Sequence, residues 1–129
     1  MFSRFRSLIF KLDPELAHNL AIKALKLNYR AKKNIISNET IKISILGKNI
    51  PNPIGLAAGF DKDAEVYNSL FKLGFGFVEV GTVTPLSQYG NEKPRIFRLE
   101  KDFALINRLG FNNDGSEMVK KRIENNLPK

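Results

Sequence analysis

Three short stretches of this sequence contain residue types that could bind a flat, charged ligand. The first is Ala57-Ala58-Gly59-Phe60-Asp61-Lys62. Alanine and glycine let a flat ligand approach the backbone closely, and the ammonium group of Lys62 can offset the charge of an anion. The same hexapeptide also fits an ordinary turn from a strand to a helix, with Asp61 as the N-cap and Lys62 in solvent.

The second stretch, Gly81-Thr82-Val83-Thr84-Pro85, carries two hydroxyl groups that can hydrogen-bond the edge of a cofactor. Glycine, threonine and proline are also the usual residues of a plain turn, so this stretch alone leaves both interpretations open.

The third stretch, Asn107-Arg108-Leu109-Gly110-Phe111-Asn112-Asn113, combines amides, a glycine and an aromatic ring. Amides can hydrogen-bond the edge of a planar polar ligand while the ring covers its face. A polar surface loop anchored by one phenylalanine would have the same composition.

The first two stretches follow segments that have the pattern of buried strands. Residues 54–58 and 75–80 are short apolar runs, and residues 62–73 between them have helical spacing and end at Gly74. Strand, helix and strand with short connections predict a parallel βαβ unit with both strands fully buried. Two strands do not close a sheet, so the pattern is typical of the opening of a larger α/β domain. In a (β/α)₈ barrel the active site forms at the carboxyl ends of the strands.

Further elements flank this unit. Alternating isoleucines at residues 41–45 and a turn at Gly47-Lys48-Asn49 predict a hairpin. Residues 95–106 are predicted to be extended, as a second hairpin, and residues 115–125 to be a helix with Met118, Val119 and Ile123 as its apolar stripe. Residues 31–40 are polar and have the character of a linker.

The chain opens with two predicted amphipathic helices that meet at Asp13. Residues 2–12 have apolar side chains at helical spacing, and Asp13-Pro14-Glu15 is a helix start, with Asp13 as the N-cap. In the second helix one stripe is formed by Leu16, Leu20, Ala24 and Leu27, and Ala17, Ala21 and Leu25 widen it.

Basic residues are concentrated in this first part of the chain. Residues 1–50 hold ten Lys and Arg and three Asp and Glu, whereas residues 51–129 hold eleven and ten. The charge predicts an anionic partner, either lipid or nucleic acid. Large apolar side chains accompany the charges at Phe2, Phe5 and Ile9, which favours a lipid surface.

Composition excludes several classes of protein. The chain has no cysteine and one histidine, which excludes a disulfide scaffold, a thiolate metal site and a multi-histidine metal site. Its longest uncharged apolar run near the start is Leu8-Ile9-Phe10, whereas a membrane-spanning helix needs about 20 such residues. No metal site, transmembrane helix or cleaved signal peptide is predicted.

Four motifs resemble the dihydroorotate dehydrogenase family in their order and spacing. They are Asn52-Pro53-Ile54-Gly55-Leu56-Ala57-Ala58-Gly59-Phe60-Asp61-Lys62, residues 75–85, Pro94-Arg95-Ile96-Phe97-Arg98-Leu99, and residues 106–113. The opening Asp13-Pro14-Glu15-Leu16-Ala17-His18 is similar to the helical extension of the quinone-reducing class, which the soluble class lacks. The resemblance extends over nearly the whole chain.

The resemblance implies an FMN enzyme that oxidises dihydroorotate to orotate in pyrimidine (UMP) biosynthesis and reduces a membrane quinone. It implies FMN contacts by Ala58, Gly59, Phe60, Asp61, Lys62 and Thr82. Dihydroorotate is expected to contact Lys62, Asn107, Arg108, Leu109, Gly110 and Phe111. His18 and Arg98 are expected at a quinone tunnel between the helices and the barrel. For a lone histidine on a helix, a purely structural role is the alternative.

The resemblance also implies what lies outside these residues. The catalytic base, a serine in this class, is expected beyond Lys129, so this chain is expected to be an inactive N-terminal piece. Residues 1–38 are expected to form the helical membrane and tunnel extension, and residues 39–129 part of an FMN-binding (β/α)₈ barrel of roughly 250 residues. The enzyme is expected to be a monomer, peripheral on the cytoplasmic face of the inner membrane.

Two other hypotheses remain open at the level of sequence. One is another FMN-binding or phosphate-binding barrel oxidoreductase, against which the Asn107 to Asn113 run argues. The other is a basic nucleic-acid-binding module, for which faces poor in large apolar side chains would be typical.

Overall fold

A computed structural model describes residues 9–27 and 39–127 of the chain. Its secondary structure is of the mixed α/β type. The α-helices are α1 (Pro14–Leu27), α2 (Tyr67–Lys72) and α3 (Ser116–Asn125). The strands are β1 (Ile43–Ile45), β2 (Lys48–Ile50), β3 (Gly55–Leu56), β4 (Phe77–Val78), β5 (Ile96–Leu99) and β6 (Ala104–Asn107), and Glu39–Ile41 and Glu100–Asp102 are 3₁₀ turns.

Helix α1 begins where the sequence predicts. The Asp13 carboxylate accepts a hydrogen bond of 2.9 Å from the backbone N–H of Leu16, as an N-cap does, and Pro14 is the first helical residue. Residues 9 and 10 are helical, at the end of the predicted first helix. Residues 1–8 of that helix and residues 31–38 of the predicted linker lie outside the described residues.

The face of α1 that packs on the protein is not the leucine stripe. Ile22 is buried, and Glu15, His18 and Leu25 on the same face are half-buried. The stripe of Leu16, Leu20, Ala24 and Leu27 is exposed on the other side, with Leu16 at 48% and Leu20 at 46%. The more apolar side of this helix therefore has no cover among the described residues.

Strands β1 and β2 form the predicted first hairpin. They pair antiparallel, with Ile43 opposite Ile50 and Ile45 opposite Lys48. The turn is Leu46-Gly47, one residue earlier than the predicted Gly47-Lys48-Asn49, because Lys48 and Asn49 already belong to β2. Both turn residues have positive φ, at 51° and 74°, as a two-residue hairpin turn of the primed type requires.

Strands β3 and β4 pair in parallel, which confirms the βαβ unit. Both are shorter than predicted, and full burial is wrong: Ile54 is 65% exposed, Ala57 and Ala58 are exposed, and Phe77 is 38% exposed. The reason is that, among the described residues, each of these strands has one neighbouring strand only. Their outer edges and part of their faces are left uncovered.

Helix α2 is shorter than the predicted helix at residues 62–73. The carboxylate of Asp61 accepts hydrogen bonds from the N–H groups of Glu65 (2.7 Å) and Val66 (2.9 Å), so it holds a loop where a helical turn was predicted. Ala64 in this loop has a positive φ of 54°. The helix ends at the predicted place, where Gly74 has a φ of 107°.

The core lies on both sides of α2. One cluster packs Val66 and Leu70 against Ile22 of α1, and the other packs Ala64 and Tyr67 against Val119 of α3. Polar contacts add to these: the Ser69 hydroxyl donates to the Leu25 carbonyl (2.8 Å), and the Tyr67 hydroxyl donates to the Asn126 carbonyl. Helix α2 thereby holds α1 and α3 against the parallel strands.

The predicted second hairpin and the last helix are both present. Strands β5 and β6 pair antiparallel, with Arg98 opposite Leu105 and Ile96 opposite Asn107. In α3 the predicted stripe is buried at Val119 and half-buried at Ile123, whereas Met118 is 47% exposed.

Replacing Asp13 by alanine should destabilise the first turn of α1 by about 1 kcal/mol, because the Leu16 N–H loses its acceptor. We expect backbone amides of α1 to exchange with solvent about fivefold faster. Asp13→Asn, which keeps a side-chain acceptor, is the matched control and should exchange as the parent does. Equal exchange in Asp13→Ala and Asp13→Asn would contradict the capping role.

Candidate functional site

The loops that follow β3 and β4 meet, as expected of parallel strands. The Gly59 N–H donates to the Gly81 carbonyl (2.9 Å), and the Gly81 N–H donates to the Asp61 carbonyl (3.3 Å). These bonds bring the first two predicted stretches into contact at one edge of the strand pair. Gly59 and Gly81 have φ values of 105° and 115°, which favour glycine at both positions.

A cavity of about 280 Å³ unites all three predicted stretches. It is lined by Ala58, Gly59 and Lys62 from the first stretch, by Gly81 and Thr82 from the second, and by residues 107–111 from the third. Asn91, which the sequence analysis did not single out, also lines it. The residues predicted to bind the substrate therefore all line one cavity. Ala58, Gly59 and Thr82, which were predicted to bind the cofactor, line it as well.

The two remaining predicted cofactor residues lie elsewhere. Phe60 and Asp61 line a second, larger cavity and not the smaller one. Asp61 is 2% exposed, and both of its carboxylate oxygens accept backbone N–H groups of its own loop. Its side chain is therefore occupied in shaping the loop from which Lys62 projects.

The larger cavity, of about 690 Å³, lies between α1, the β5–β6 hairpin and the loop after β3. His18 and Arg98, the two residues predicted for a tunnel, both line it. Gly59, Lys62, Asn107 and Leu109 line both cavities. These four residues therefore form a shared wall between the two.

His18 lies half-buried in the larger cavity. Its ring meets the Phe60 ring edge to face, with centroids 5.2 Å apart. Burial lowers the pKa of His18, and the positive charge of Lys62 lowers that pKa further. Both effects favour the neutral form of the His18 imidazole.

Arg98 both lines the cavity and holds the bend before α1. Its Nη1 group donates to the carbonyls of Phe10 (3.1 Å) and Leu12 (2.6 Å), and its guanidinium lies 5.0 Å from the Phe10 ring centroid. These carbonyls belong to the end of the preceding helical segment, where a cation compensates the negative end of the dipole.

A buried asparagine fixes the third stretch to the second. Asn113, 5% exposed, accepts hydrogen bonds from the N–H groups of Thr84 (3.1 Å) and Gly115 (2.9 Å) through its side-chain oxygen. Its side-chain nitrogen donates to the Phe111 carbonyl (2.8 Å) and to the Thr84 hydroxyl. The sequence analysis placed Asn113 in a ligand-binding run, and the structure gives it this loop-holding role.

The loop of residues 86–94 covers the other side of the third stretch. Gln88 and Asn113 exchange two backbone hydrogen bonds of 3.0 Å, and the Asn91 N–H donates to the Leu109 carbonyl (3.0 Å). The side chain of Gln88 donates to the Phe111 carbonyl (3.0 Å). Phe111 has a φ of 56°, a conformation that costs a non-glycine residue about 1–2 kcal/mol and that these bonds help to hold.

A buried ion pair joins α1 to the start of β5. The Arg95 guanidinium, 7% exposed, donates to both carboxylate oxygens of Glu15, at 2.6 and 3.1 Å. The hydrogen bond from Arg95 holds the pKa of Glu15 below its usual range, although burial opposes it. The sequence places Glu15 only at a helix start and gives no sign of this pair, because nothing local links residues that are 80 positions apart.

The described residues can be searched for a metal-ligand cluster and for a membrane-spanning helix. Within residues 9–27 and 39–127, the structure has no group of three or more His, Cys, Asp or Glu side chains placed to hold a metal ion. In the same ranges, none of the helices combines the length and the hydropathy that crossing a membrane requires.

Comparison with known proteins decides the family. The model of the family described as dihydroorotate dehydrogenase matches residues 40–129. This chain belongs to the dihydroorotate dehydrogenase family. The assignment favours the dihydroorotate dehydrogenase hypothesis over another barrel oxidoreductase and over a nucleic-acid-binding module.

Relatives named dihydroorotate dehydrogenase (quinone) match most of the chain. The protein of Mesorhizobium japonicum is 55% identical over 118 residues, which are 92% of this chain and 33% of that protein. The protein of Erythrobacter litoralis is 50% identical over 123 residues, 95% of this chain and 36% of that protein. The chain thus spans about a third of the length of the relatives it matches.

Solved structures of the family have the same fold over this segment. The crystal structure of DHODH from Eimeria tenella in complex with ferulenol matches with a TM-score of 0.80 and 49% identity, over 88% of this chain and 30% of that one. The ligand-free type structure from the same organism matches with the same TM-score over 31% of its chain.

The shared wall predicts an electrostatic link between the two cavities. In an NMR titration, the pKa of His18 should lie below about 6.5. Lys62→Met should raise it part of the way, because burial remains. Lys23→Met is the matched control, since Lys23 lines the same cavity but is not among the groups that shift the pKa. A titration that Lys62→Met leaves unchanged would contradict this placement.

Proposed function

We propose that this chain is the flavin-binding and dihydroorotate-binding part of a quinone-reducing dihydroorotate dehydrogenase of pyrimidine (UMP) biosynthesis. That enzyme oxidises (S)-dihydroorotate to orotate and passes the electrons to a quinone. The observation that carries the proposal is the pair of cavities on either side of one wall, in a chain whose relatives have that name. The activity belongs to a chain of the relatives' length, called the full-length enzyme below.

The smaller cavity has the properties that a flat cofactor needs. Ala58, Gly59 and Gly81 line it without large side chains, and Thr82 offers a hydroxyl group. A Cβ atom on Gly81 would lie 3.0 Å from the Val83 nitrogen, so the backbone is already closely packed at this point. When bound, FMN supplies the hydride acceptor. The residues that would hold it are Ala58, Gly59, Lys62 and Thr82, with Phe60 and Asp61 as further proposed contacts from the same loop as Gly59 and Lys62.

Dihydroorotate is proposed to bind against residues 107–111 in the same cavity. The Asn107 amide can hydrogen-bond the pyrimidine edge, and the Lys62 ammonium can bind the carboxylate. Oxidation removes a hydride and a proton from the substrate. None of the described residues that line this cavity is a histidine or a carboxylate. This supports a base from another part of the full-length enzyme, for which a serine beyond Lys129 is proposed.

The larger cavity is proposed to receive the quinone. His18, whose pKa is lowered chiefly by burial, offers the quinone a hydrogen-bonding ring, while Arg98 lines the same cavity from the hairpin. Because Gly59, Lys62, Asn107 and Leu109 belong to both cavities, the two reactants would approach the cofactor from different sides. Separate cavities allow the two half-reactions to take place without displacement of one reactant by the other.

We further propose that residues 39–129 are the opening of a (β/α)₈ barrel and residues 1–38 its helical extension. The parallel β3–β4 pair supports this, with functional loops at the carboxyl ends of both strands. The family model begins at residue 40, next to the proposed boundary.

The extension is proposed to rest on the cytoplasmic face of the inner membrane, as part of a monomeric, peripheral enzyme. The exposed stripe of Leu16, Leu20 and Leu27 supports this, because it lies on the side of α1 away from the protein. Exposed Lys11, before the helix, and Lys23 on it can attract anionic lipid. The larger cavity is lined by Leu16 and would open near this surface.

Lys62→Ala in the full-length enzyme should slow flavin reduction by dihydroorotate on the order of 100-fold, the loss typical of one preorganised cationic or hydrogen-bonding group. Stopped-flow absorbance of the flavin measures this rate. Lys101→Ala is the control, because Lys101 is exposed in the turn between β5 and β6. An unchanged rate in Lys62→Ala would overturn the assignment of the smaller cavity.

The full-length enzyme should sediment with anionic vesicles more than with neutral ones, and high salt should release part of it. Each lysine near the surface contributes about 1 kcal/mol. Leu16→Gln combined with Leu20→Gln should weaken the salt-resistant part, whereas Leu86→Gln, at a residue 82% exposed outside α1, should not. Equal binding to both kinds of vesicle would contradict the proposed electrostatic attraction. Unchanged binding in the double leucine variant would contradict the proposed apolar insertion.

A further inference from the structure

One guanidinium group connects the walls of the two cavities. Arg95 makes four hydrogen bonds while it is 7% exposed. Two go to the carboxylate of Glu15 on α1. The other two leave from Nη1 and reach the carbonyls of Tyr89 and Asn91, the latter at 3.0 Å.

On one side the pair fixes the helix that lines the larger cavity. Glu15 is in the first turn of α1, and His18 follows one turn later on the same face. Both side chains line the larger cavity. The bidentate contact therefore sets the position of this wall, since a guanidinium and a carboxylate meet in a fixed planar geometry.

On the other side the pair supports the loop that lines the smaller cavity. The carbonyls that Arg95 binds belong to the loop of residues 86–94. From that loop the Asn91 side chain donates to the Arg108 carbonyl (2.7 Å), and its N–H donates to the Leu109 carbonyl (3.0 Å). Gly90 fits between Arg95 and Leu109, where an added Cβ atom would lie 2.1 Å from the Leu109 carbonyl oxygen.

We propose that Arg95 is a positioning residue that couples the two cavities, so that the seating of α1 and the shape of the substrate loop depend on one ion pair. The role of Arg95 in the reaction rests on the proposed function. The structural coupling between α1 and the substrate loop does not depend on it. Removal of the Glu15 charge leaves a buried guanidinium without its counter-charge. The guanidinium must then shift, and the carbonyls of Tyr89 and Asn91 lose a fixed donor.

Hydrogen exchange in the full-length enzyme tests the coupling without an activity measurement. In Glu15→Gln, amides of α1 should exchange at least threefold faster, and so should the amides of Gln88, Asn91 and Asn113. Lys93→Gln is the matched control, because Lys93 binds the same carboxylate from an exposed position, at 3.2 Å, and should change neither set. Faster exchange in α1 alone would overturn the proposal, since Glu15 would then be a local anchor of the helix.

Steady-state kinetics supply the second readout. Glu15→Gln should raise KM for quinone and KM for dihydroorotate together, each at least threefold, with kcat changed less than twofold. If that variant is insoluble, Glu15→Asp, which keeps the charge on a shorter side chain, should show the same pair of changes in smaller measure. A change in the quinone KM alone would overturn the coupling. A parent enzyme that does not oxidise dihydroorotate would refute the proposed function and leave the exchange result to decide the structural part.

Discussion

Buried side chains that bind main-chain atoms of irregular segments hold this structure together. The buried polar residues among the described ones are Asp61, Ser69, Arg95 and Asn113, and the side chain of each hydrogen-bonds at least one backbone group. Loop backbone has no ladder partner, so its N–H and C=O groups must find other partners where they are buried. Asp61, Arg95 and Asn113 satisfy that requirement for loop backbone and so give the loops one conformation, whereas Ser69 joins α2 to the last turn of α1.

The apolar core contributes in a different way. Its two clusters are small, and both are centred on α2, which has six residues. They fix α1 and α3 against the parallel strands, and Phe60 and Val83 from the loops after β3 and β4 pack against them. Positions within the loops are set by hydrogen bonds of defined length and direction, which apolar contacts lack.

Helix α1 illustrates how one element can serve two surfaces. The side that packs on the protein carries Glu15, His18 and Ile22, a mixture of charge, ring and aliphatic side chain. The other side carries the exposed leucines. A helix whose inward face is the more polar one is suited to a cavity wall, because such a wall needs hydrogen-bonding groups. The outward face carries the exposed leucines, which are proposed to contact the membrane.

The sequence by itself determined the kind and order of the elements and the grouping of the three site stretches, because periodicity, caps and strand ends are local properties. Asp13 and Gly74 behaved as their types dictate, whereas the isoleucine alternation at residues 41–45 gave a strand at Ile43–Ile45 only, with Ile41 in a 3₁₀ turn. It could not determine which side of α1 packs inward, since both sides have helical spacing. It also assigned too much burial to the strands and predicted a helical turn where the Asp61 carboxylate holds a loop. Only the tertiary structure decided that Arg95 meets Glu15 and that Asn113 holds the loops, because such pairs depend on where distant segments come together in space.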